Sequence, residues 1–423
     1  MAISELVDFE VAVPRHGQGR LLAPWLIVGL LAIQAAAVTI SRLVLPLDKS
    51  APPLGVTAQL LSWDGRWYNA IASSGYSWNP VAYASQQQSI AFFPAQPLID
   101  RAAIALGGSA AVPLIIILSL LFGLASIVVF ERLARAVLSP HAVPAAVACY
   151  ALWPASSFYL MGYPTGLISL CIIAALADHI DGRVWRSAGW LGLGTAVNPT
   201  VVFVGMALGL AHALAWVQSG ARLGGLLRLV LWGLLALFGL LGFMFYQFLA
   251  FHDAFAFIDA QAGWGAAPSL QDRMLNLIDL KRYLQQSHAG VNEIGQGSAL
   301  LHEGQMRAGA ALIAMGIQRL INFVAFLIVF IGLIGATFAL RGRARVIAAA
   351  GWIVFIGYLW TIFTTGQNLL CVPRLLFPAI AVFLGLGALI AKLPTTARVS
   401  LVGGLALLSF VEAAFAAVGF WVV

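Results

Sequence analysis

The sequence predicts an all-α polytopic membrane protein, and three observations carry that prediction. Over 423 residues, 61% of the side chains are hydrophobic and only 9% are charged, with a mean hydropathy of +0.93. No water-soluble domain class has that balance. The apolar residues fall in runs near the ~20 residues that cross a bilayer as a helix. Prolines are scattered through these runs and no period-2 alternation dominates, so the spans are helices rather than barrel strands.

In chain order, Met1 to Arg20 is polar and holds Glu5, Asp8 and Glu10. It lacks the basic start of a cleaved signal, so residues 1–21 read as a cytoplasmic tail and the first apolar run as a retained span. Apolar stretches then run at 22–44, 110–130, 142–160, 163–180, 187–198, 200–217, 226–250, 309–340, 346–365, 375–391 and 399–421, which predicts about eleven transmembrane helices in a single domain of residues 1–423. The fifth stretch is short and ends at Asn198-Pro199, where a helix breaks; without that break, 187–217 is one long helix and the count falls by one. With a cytoplasmic N-terminus and eleven spans, Arg132/Arg135, Arg183/Arg186, Arg222/Arg228, Arg341/Arg343/Arg345 and Lys392/Arg398 all lie inside. That satisfies the positive-inside rule at every inner loop. Losing the Asn198-Pro199 break would put the later arginine clusters outside.

This topology places the two long loops, 46–109 and 252–308, on one outer face, together with short turns near Pro164, near Asn198 and from Gln367 to Arg374. Both loops mix aromatics, Gly, Pro and short amphipathic stretches, a composition suited to helices lying on the bilayer. The sequence pI near 9.6 comes from arginines placed singly or in pairs at the ends of apolar runs, so it reports membrane orientation and not nucleic-acid binding. Cys149, Cys171 and Cys371 have no ligand or disulfide spacing and read as small buried hydrophobes. No phosphate-binding loop, dinucleotide fingerprint or Asp-x-Asp triplet occurs, which disfavours a nucleotide-sugar substrate.

Chemistry is expected first at Asp64. Wound as one helix, Thr57 to Ser73 puts Ser62, Gly65, Arg66, Asn69 and Ser73 on one arc and Leu60, Trp63, Trp67 and Ile71 on the other, with Asp64 among the apolar side chains. A carboxylate there is costly unless function requires it. Its plainer alternatives are a helix cap or a salt bridge to Arg66. Arg374 opens an outer-face span beside Pro373, where a guanidinium can bind phosphate or simply snorkel to the interface. His288, His302 and Glu303 have no metal-ligand spacing, and no metal site is expected.

The first outer loop carries Trp63-Asp64-Gly-Arg-Trp-Tyr68, then Ile71-Ala72, Gly75-Tyr76 and Ala91-Phe92-Phe93-Pro94-Ala-Gln-Pro97. Weaker elements are Pro154 to Phe158 with Tyr163, Asp253-Ala-Phe255-Ala-Phe257 with Gln261 and Trp264, and Pro373-Arg374-Leu-Leu-Phe-Pro378. In these elements the chain resembles the bacterial branch of the PIG-V family, related to the second mannosyltransferase of glycosylphosphatidylinositol synthesis, within the GT-C class of membrane glycosyltransferases. The resemblance implies a GT-C-type fold and transfer of a hexose, mannose first, from a polyprenyl-phosphate-linked donor to a lipid or glycan acceptor. Transfer would invert the anomeric centre at the outer face of a bacterial inner membrane. It implies Asp64 as catalytic base, Arg374 and Arg66 on the donor phosphate, and a pocket drawn from Trp63, Tyr68, Phe92, Phe93, His252, Asp253, Gln261 and Trp264. Two positions depart from the family pattern: Thr165 stands where Tyr-x-Glu-Ser has its Glu, and Asn198 stands where an Arg precedes the Pro. A different sugar or acceptor, or weakened catalysis, would follow from that loss. Two other classes stay open, a lipid-linked-sugar flippase and a non-catalytic subunit that keeps the fold.

Overall fold

The computed structural model describes residues 21–44, 55–264, 269–361, 369 and 371–419; the N-terminal tail and the Gln367 end of the last outer turn lie outside them. Among the described residues the chain is helical without strands. The helices are α1 (Ala23–Val44), α2 (Val56–Leu60), α3 (Asp64–Ser74), α4 (Ala95–Gly107), α5 (Ala111–Val137), α6 (Val143–Ala151), α7 (Thr165–Ile180), α8 (Val184–Val197), α9 (Val201–Gln218) and α10 (Leu223–Ala236). They continue with α11 (Phe238–Phe251), α12 (Ala256–Asp259), α13 (Leu270–Ile278), α14 (Leu280–His302), α15 (Met306–Ala339), α16 (Arg345–Thr361), α17 (Val372–Leu375), α18 (Ala381–Ile390) and α19 (Thr395–Val418). Helical turns of 3₁₀ type at Pro154–Leu160 and Ala260–Trp264 complete the site region.

Among the described residues six stretches are long and apolar enough to cross a membrane, or eight if two bent pairs each make one span. The bends are 56° between α6 and Pro154–Leu160 and 64° between α10 and α11. The expected eleven is therefore not reproduced by length and composition. The shortfall has a physical cause: α7, α8 and α18 hold 16, 14 and 10 residues. At ~1.5 Å per residue these reach about 24, 21 and 15 Å, short of a ~30 Å hydrocarbon core. The break expected at Asn198-Pro199 is present, separating α8 from α9.

α7 is sandwiched between α5 and α8, α1 lies along α19, and α15 packs on α18 and on α14. Gly166 permits the first of these contacts, since a Cβ there would sit 2.5 Å from the Gly123 backbone nitrogen of α5. At the centre, Tyr150 stacks between Phe130 (4.5 Å) and Phe377 (5.0 Å). Beside it the buried Trp153 donates its indole N–H to the Pro373 carbonyl at 2.7 Å. Asn322 of α15 accepts the Val372 N–H at 2.7 Å. These two bonds hold the short α17 and so fix where Arg374 starts. The three cysteines are free and buried.

The single amphipathic helix expected for Thr57 to Ser73 is replaced by two. α2 ends at Leu60 and α3 begins at Asp64, with Trp63 between them at φ 53° and ψ −119°, a conformation costly for a residue with a side chain. The buried face of α3 is Gly65, Tyr68, Ile71 and Ala72. Asp64 therefore stands at the helix start and not on an apolar arc.

Candidate active site

Asp64 and Arg374, 310 residues apart, meet in a salt bridge of 2.7 Å between Asp64 Oδ2 and Arg374 Nη1. The backbone that launches each of them is unusual and held. Tyr163 Oη accepts the Asp64 N–H at 3.0 Å and donates to the Ser62 carbonyl at 3.3 Å, so one hydroxyl clamps the peptides on both sides of Trp63. Cys371 is left-handed, at φ 52°, and its carbonyl accepts the N–H groups of Arg374 and Leu375 at 3.0 and 2.8 Å. The guanidinium also lies over the rings of Phe158 and Tyr163 at 5.2 and 5.3 Å, where the ring faces attract a cation.

The pair lines a cavity, partly open to solvent, walled by four separate segments. These are Asp64 and Tyr68 from α3, Tyr163 to Ser169 at the start of α7, Asn198 and Thr200 at the α8–α9 break, and Arg374 to Pro378 after α17. Each belongs to a loop or turn that the charge pattern assigns to the outer face. Asp64 Oδ1 has no partner among the described residues, so one carboxylate oxygen stays available. The Arg374 fork is largely engaged: Nη1 holds Asp64, Nη2 approaches Cys371 Sγ at 3.7 Å, and Nε is buried without a partner. Tyr68, buried in the outer loop, has its hydroxyl pushed well above the ordinary tyrosine range, first by desolvation and then by the Asp64 charge. It therefore stays protonated and can donate into the cavity.

The other expected site residues divide cleanly. Thr165 and Asn198, the two departures from the family pattern, both line the cavity. Phe92 packs edge-on against Tyr68 at 5.1 Å and stacks on Trp67 at 5.7 Å, and Trp264 meets both Trp67 and Phe92. These form an aromatic ledge next to the cavity, with Trp63 half-buried beside Asp64. Arg66 is exposed and does not line the cavity. Phe93 packs away from it, against Phe243 and Phe257. His252 is the left-handed cap of α11, Asp253 accepts the Phe255 N–H at 2.9 Å, and Gln261 donates to the Phe257 carbonyl at 3.3 Å; none of the three lines the cavity. Sequence reasoning does not pick out Tyr163, Phe158 or Cys371 as site residues. The signals for Tyr163 are its place in the Pro154 to Tyr163 element that resembles the family and its position as the tyrosine of the Tyr-x-Glu-Ser pattern that Thr165 breaks.

Comparison with known proteins speaks to the fold and the family. A crystal structure of ArnT from Cupriavidus metallidurans, bound to undecaprenyl phosphate, superposes with a TM-score of 0.50 at 12% identity, covering 92% of this chain and 64% of that chain. At that identity the likeness speaks for the fold, and the chain spans under two thirds of the ArnT length. The fold is that of a GT-C membrane glycosyltransferase. A comparison with curated proteins found no match. The sequence profile of the mannosyltransferase (PIG-V) family matches residues 49–288, more than half of the chain, and the protein belongs to that family.

Proposed function

We propose that the protein transfers a hexose, mannose first, from a polyprenyl-phosphate donor to a hydroxyl of a lipid or glycan acceptor, with inversion, at the outer face of a bacterial inner membrane. The observation that carries this reading is the Asp64–Arg374 pair at the mouth of a cavity built from α3, the α7 start, the α8–α9 break and α17. Inverting transfer needs a carboxylate to take the acceptor proton and positive charge to stabilise the departing phosphate. Asp64 and Arg374 supply one of each.

The acceptor oxygen attacks the anomeric carbon while Asp64 takes its proton. The bond from that carbon to the phosphate oxygen breaks, and the electron pair leaves with the polyprenyl phosphate. In the ligand-free pair the Arg374 guanidinium is taken up by Asp64. A donor phosphate drawn to Arg374 competes for that guanidinium and frees the carboxylate to face the acceptor hydroxyl. Tyr68 supplies a neutral donor for sugar or phosphate oxygen. The aromatic ledge of Trp67, Phe92 and Trp264 offers stacking faces for a sugar ring.

The test is direct. Purified protein is incubated with radiolabelled polyprenyl-phosphate mannose and a bacterial lipid extract, with the glucosyl donor run in parallel. A labelled glycolipid from the mannosyl donor is expected. Absence of labelled product from either donor, with intact folded protein, would reject the reading.

A further inference from the structure

Three helices begin at the cavity, and their first N–H groups, which no α-helix can satisfy internally, are treated differently. In α3 the N–H groups of Asp64, Gly65 and Arg66 go to Tyr163 Oη and to the carbonyls of Ser62 and Trp63. In α9 those of Val201, Val202 and Phe203 go to the carbonyls of Asn198, Pro199 and Thr200, and Asn198 Oδ1 takes the Thr200 N–H at 2.9 Å. In α7 the first N–H with an acceptor is that of Ile168, on the Pro164 carbonyl at 2.8 Å. The N–H groups of Thr165, Gly166 and Leu167 have none among the described residues, although all three residues are buried. Buried donors left this way are rare and expensive.

A second, independent feature points the same way. Thr165 is only 5% exposed, lines the cavity, and its hydroxyl has no hydrogen-bond partner among the described residues. Asn198 lines the cavity too; its carbonyl oxygen is occupied by Thr200, leaving its amide N–H₂ free to donate. Asp64 is the one carboxylate among the lining residues, and Arg374 already balances it. The cavity wall thus presents the Thr165 hydroxyl and the Asn198 amide beside the start of a 16-residue helix, whose positive end has no anion of its own to meet it.

We propose that the first turn of α7, with the Thr165 hydroxyl and the Asn198 amide, is an anion subsite for the phosphate of the prenyl phosphate leaving group. The phosphate would be held between these neutral donors and the Arg374 charge. The inference rests on the glycosyl-transfer reading for the identity of the ligand, but its test does not depend on turnover.

Full-length protein in detergent is titrated calorimetrically with geranyl phosphate and, as the uncharged control, with geraniol. Thr165→Glu places a carboxylate on the open N–H groups. It should weaken geranyl phosphate by roughly tenfold or more and leave geraniol unchanged. Thr165→Val removes the hydroxyl alone and should weaken geranyl phosphate by about two- to fivefold. Unchanged geranyl phosphate affinity in Thr165→Glu would overturn the subsite. If Thr165→Glu loses both ligands, its fold is disrupted and Thr165→Val decides: wild-type affinity for geranyl phosphate there overturns the proposal, and a selective loss supports it. Wild-type protein that binds geranyl phosphate with this dependence on Thr165 yet transfers no sugar would sink the transfer reading and leave the subsite standing.

Discussion

At the scale of single residues, the site is two charged side chains launched from two strained positions, Trp63 and Cys371, and pressed together by partners that do no chemistry. Because Asp64 is paired, removing its charge has two separable effects. Asp64→Asn keeps shape and hydrogen bonding but cannot take a proton, so turnover should fall by about 10²–10⁴ while expression stays normal, measured by initial rates with labelled donor. Residual transfer within a few-fold of wild type would reject Asp64 as the base. Arg374→Lys keeps a point charge near Asp64 but loses the planar fork and its stacking on Phe158 and Tyr163. It should raise the donor KM more than it lowers kcat, and a donor dependence equal to wild type would reduce Arg374 to a structural partner. Asp64 is legible in the sequence because a carboxylate among the aromatic and apolar side chains of Trp63 to Ile71 stands out, and Arg374 because it sits beside Pro373 at the start of an outer-face apolar run. Their salt bridge is not, since nothing local to either residue encodes a contact across 310 positions.

At the scale of elements, the short helices matter more than the long ones. Spans are legible from hydropathy because burial in lipid leaves a plain compositional mark. The broken α2–α3 corner is not, because it depends on tertiary packing. Gly162, whose N–H donates to the Leu60 carbonyl at 3.3 Å, lacks a side chain and lets Leu61 pack directly against it. Helical periodicity over Thr57 to Ser73 therefore predicts the wrong buried face. The α8–α9 break is the converse, an element boundary announced by Asn198-Pro199 and found there. Asn198 closes a turn there by accepting the Thr200 N–H on its side-chain oxygen, and Asn198→Arg removes that acceptor while adding a second guanidinium to the cavity that holds Arg374. The single variant should lose roughly 0.5–1.5 kcal/mol for that hydrogen bond alone, read as a lowered midpoint in a thermal-aggregation assay. Adding Thr165→Glu, which places a carboxylate at the start of α7 and in the same cavity, should recover part of that loss. A double-variant shift equal to the sum of the two single-variant shifts would show that the two positions do not interact.

At the scale of the whole molecule, the two ends of the helical bundle carry different kinds of residue. One end gathers Asp64, Tyr163, Asn198 and Arg374 into the cavity. The other brings the turn after α7 against the turn after α15, where Arg343 Nη2 donates to the His179 carbonyl at 3.0 Å and Asp178 pairs with Arg183 and Arg186. That segregation is the one the arginine pattern requires if the N-terminus lies inside. It also accounts for α15, whose 34 residues reach about 51 Å and so overrun the hydrocarbon core by several turns. α14 folds back along the overhang, tied by Arg319 to Glu293 at 2.9 Å. The cavity should therefore open on the outer side and the arginine turns on the inner. Because all three native cysteines are buried, single cysteines introduced at exposed sites can be read with little background. Ser85→Cys in the first long loop and Asn292→Cys on α14 should react with a membrane-impermeant maleimide applied to intact spheroplasts, whereas Ser219→Cys and Thr396→Cys, also exposed, should react only after the membrane is opened. Labelling of positions 85 and 292 from opposite sides would break the architecture, since the donor and acceptor faces of the cavity could then not share one compartment. Labelling of 219 and 396 from outside, with 85 and 292 protected, would keep the fold but invert it, moving the proposed transfer to the cytoplasmic leaflet.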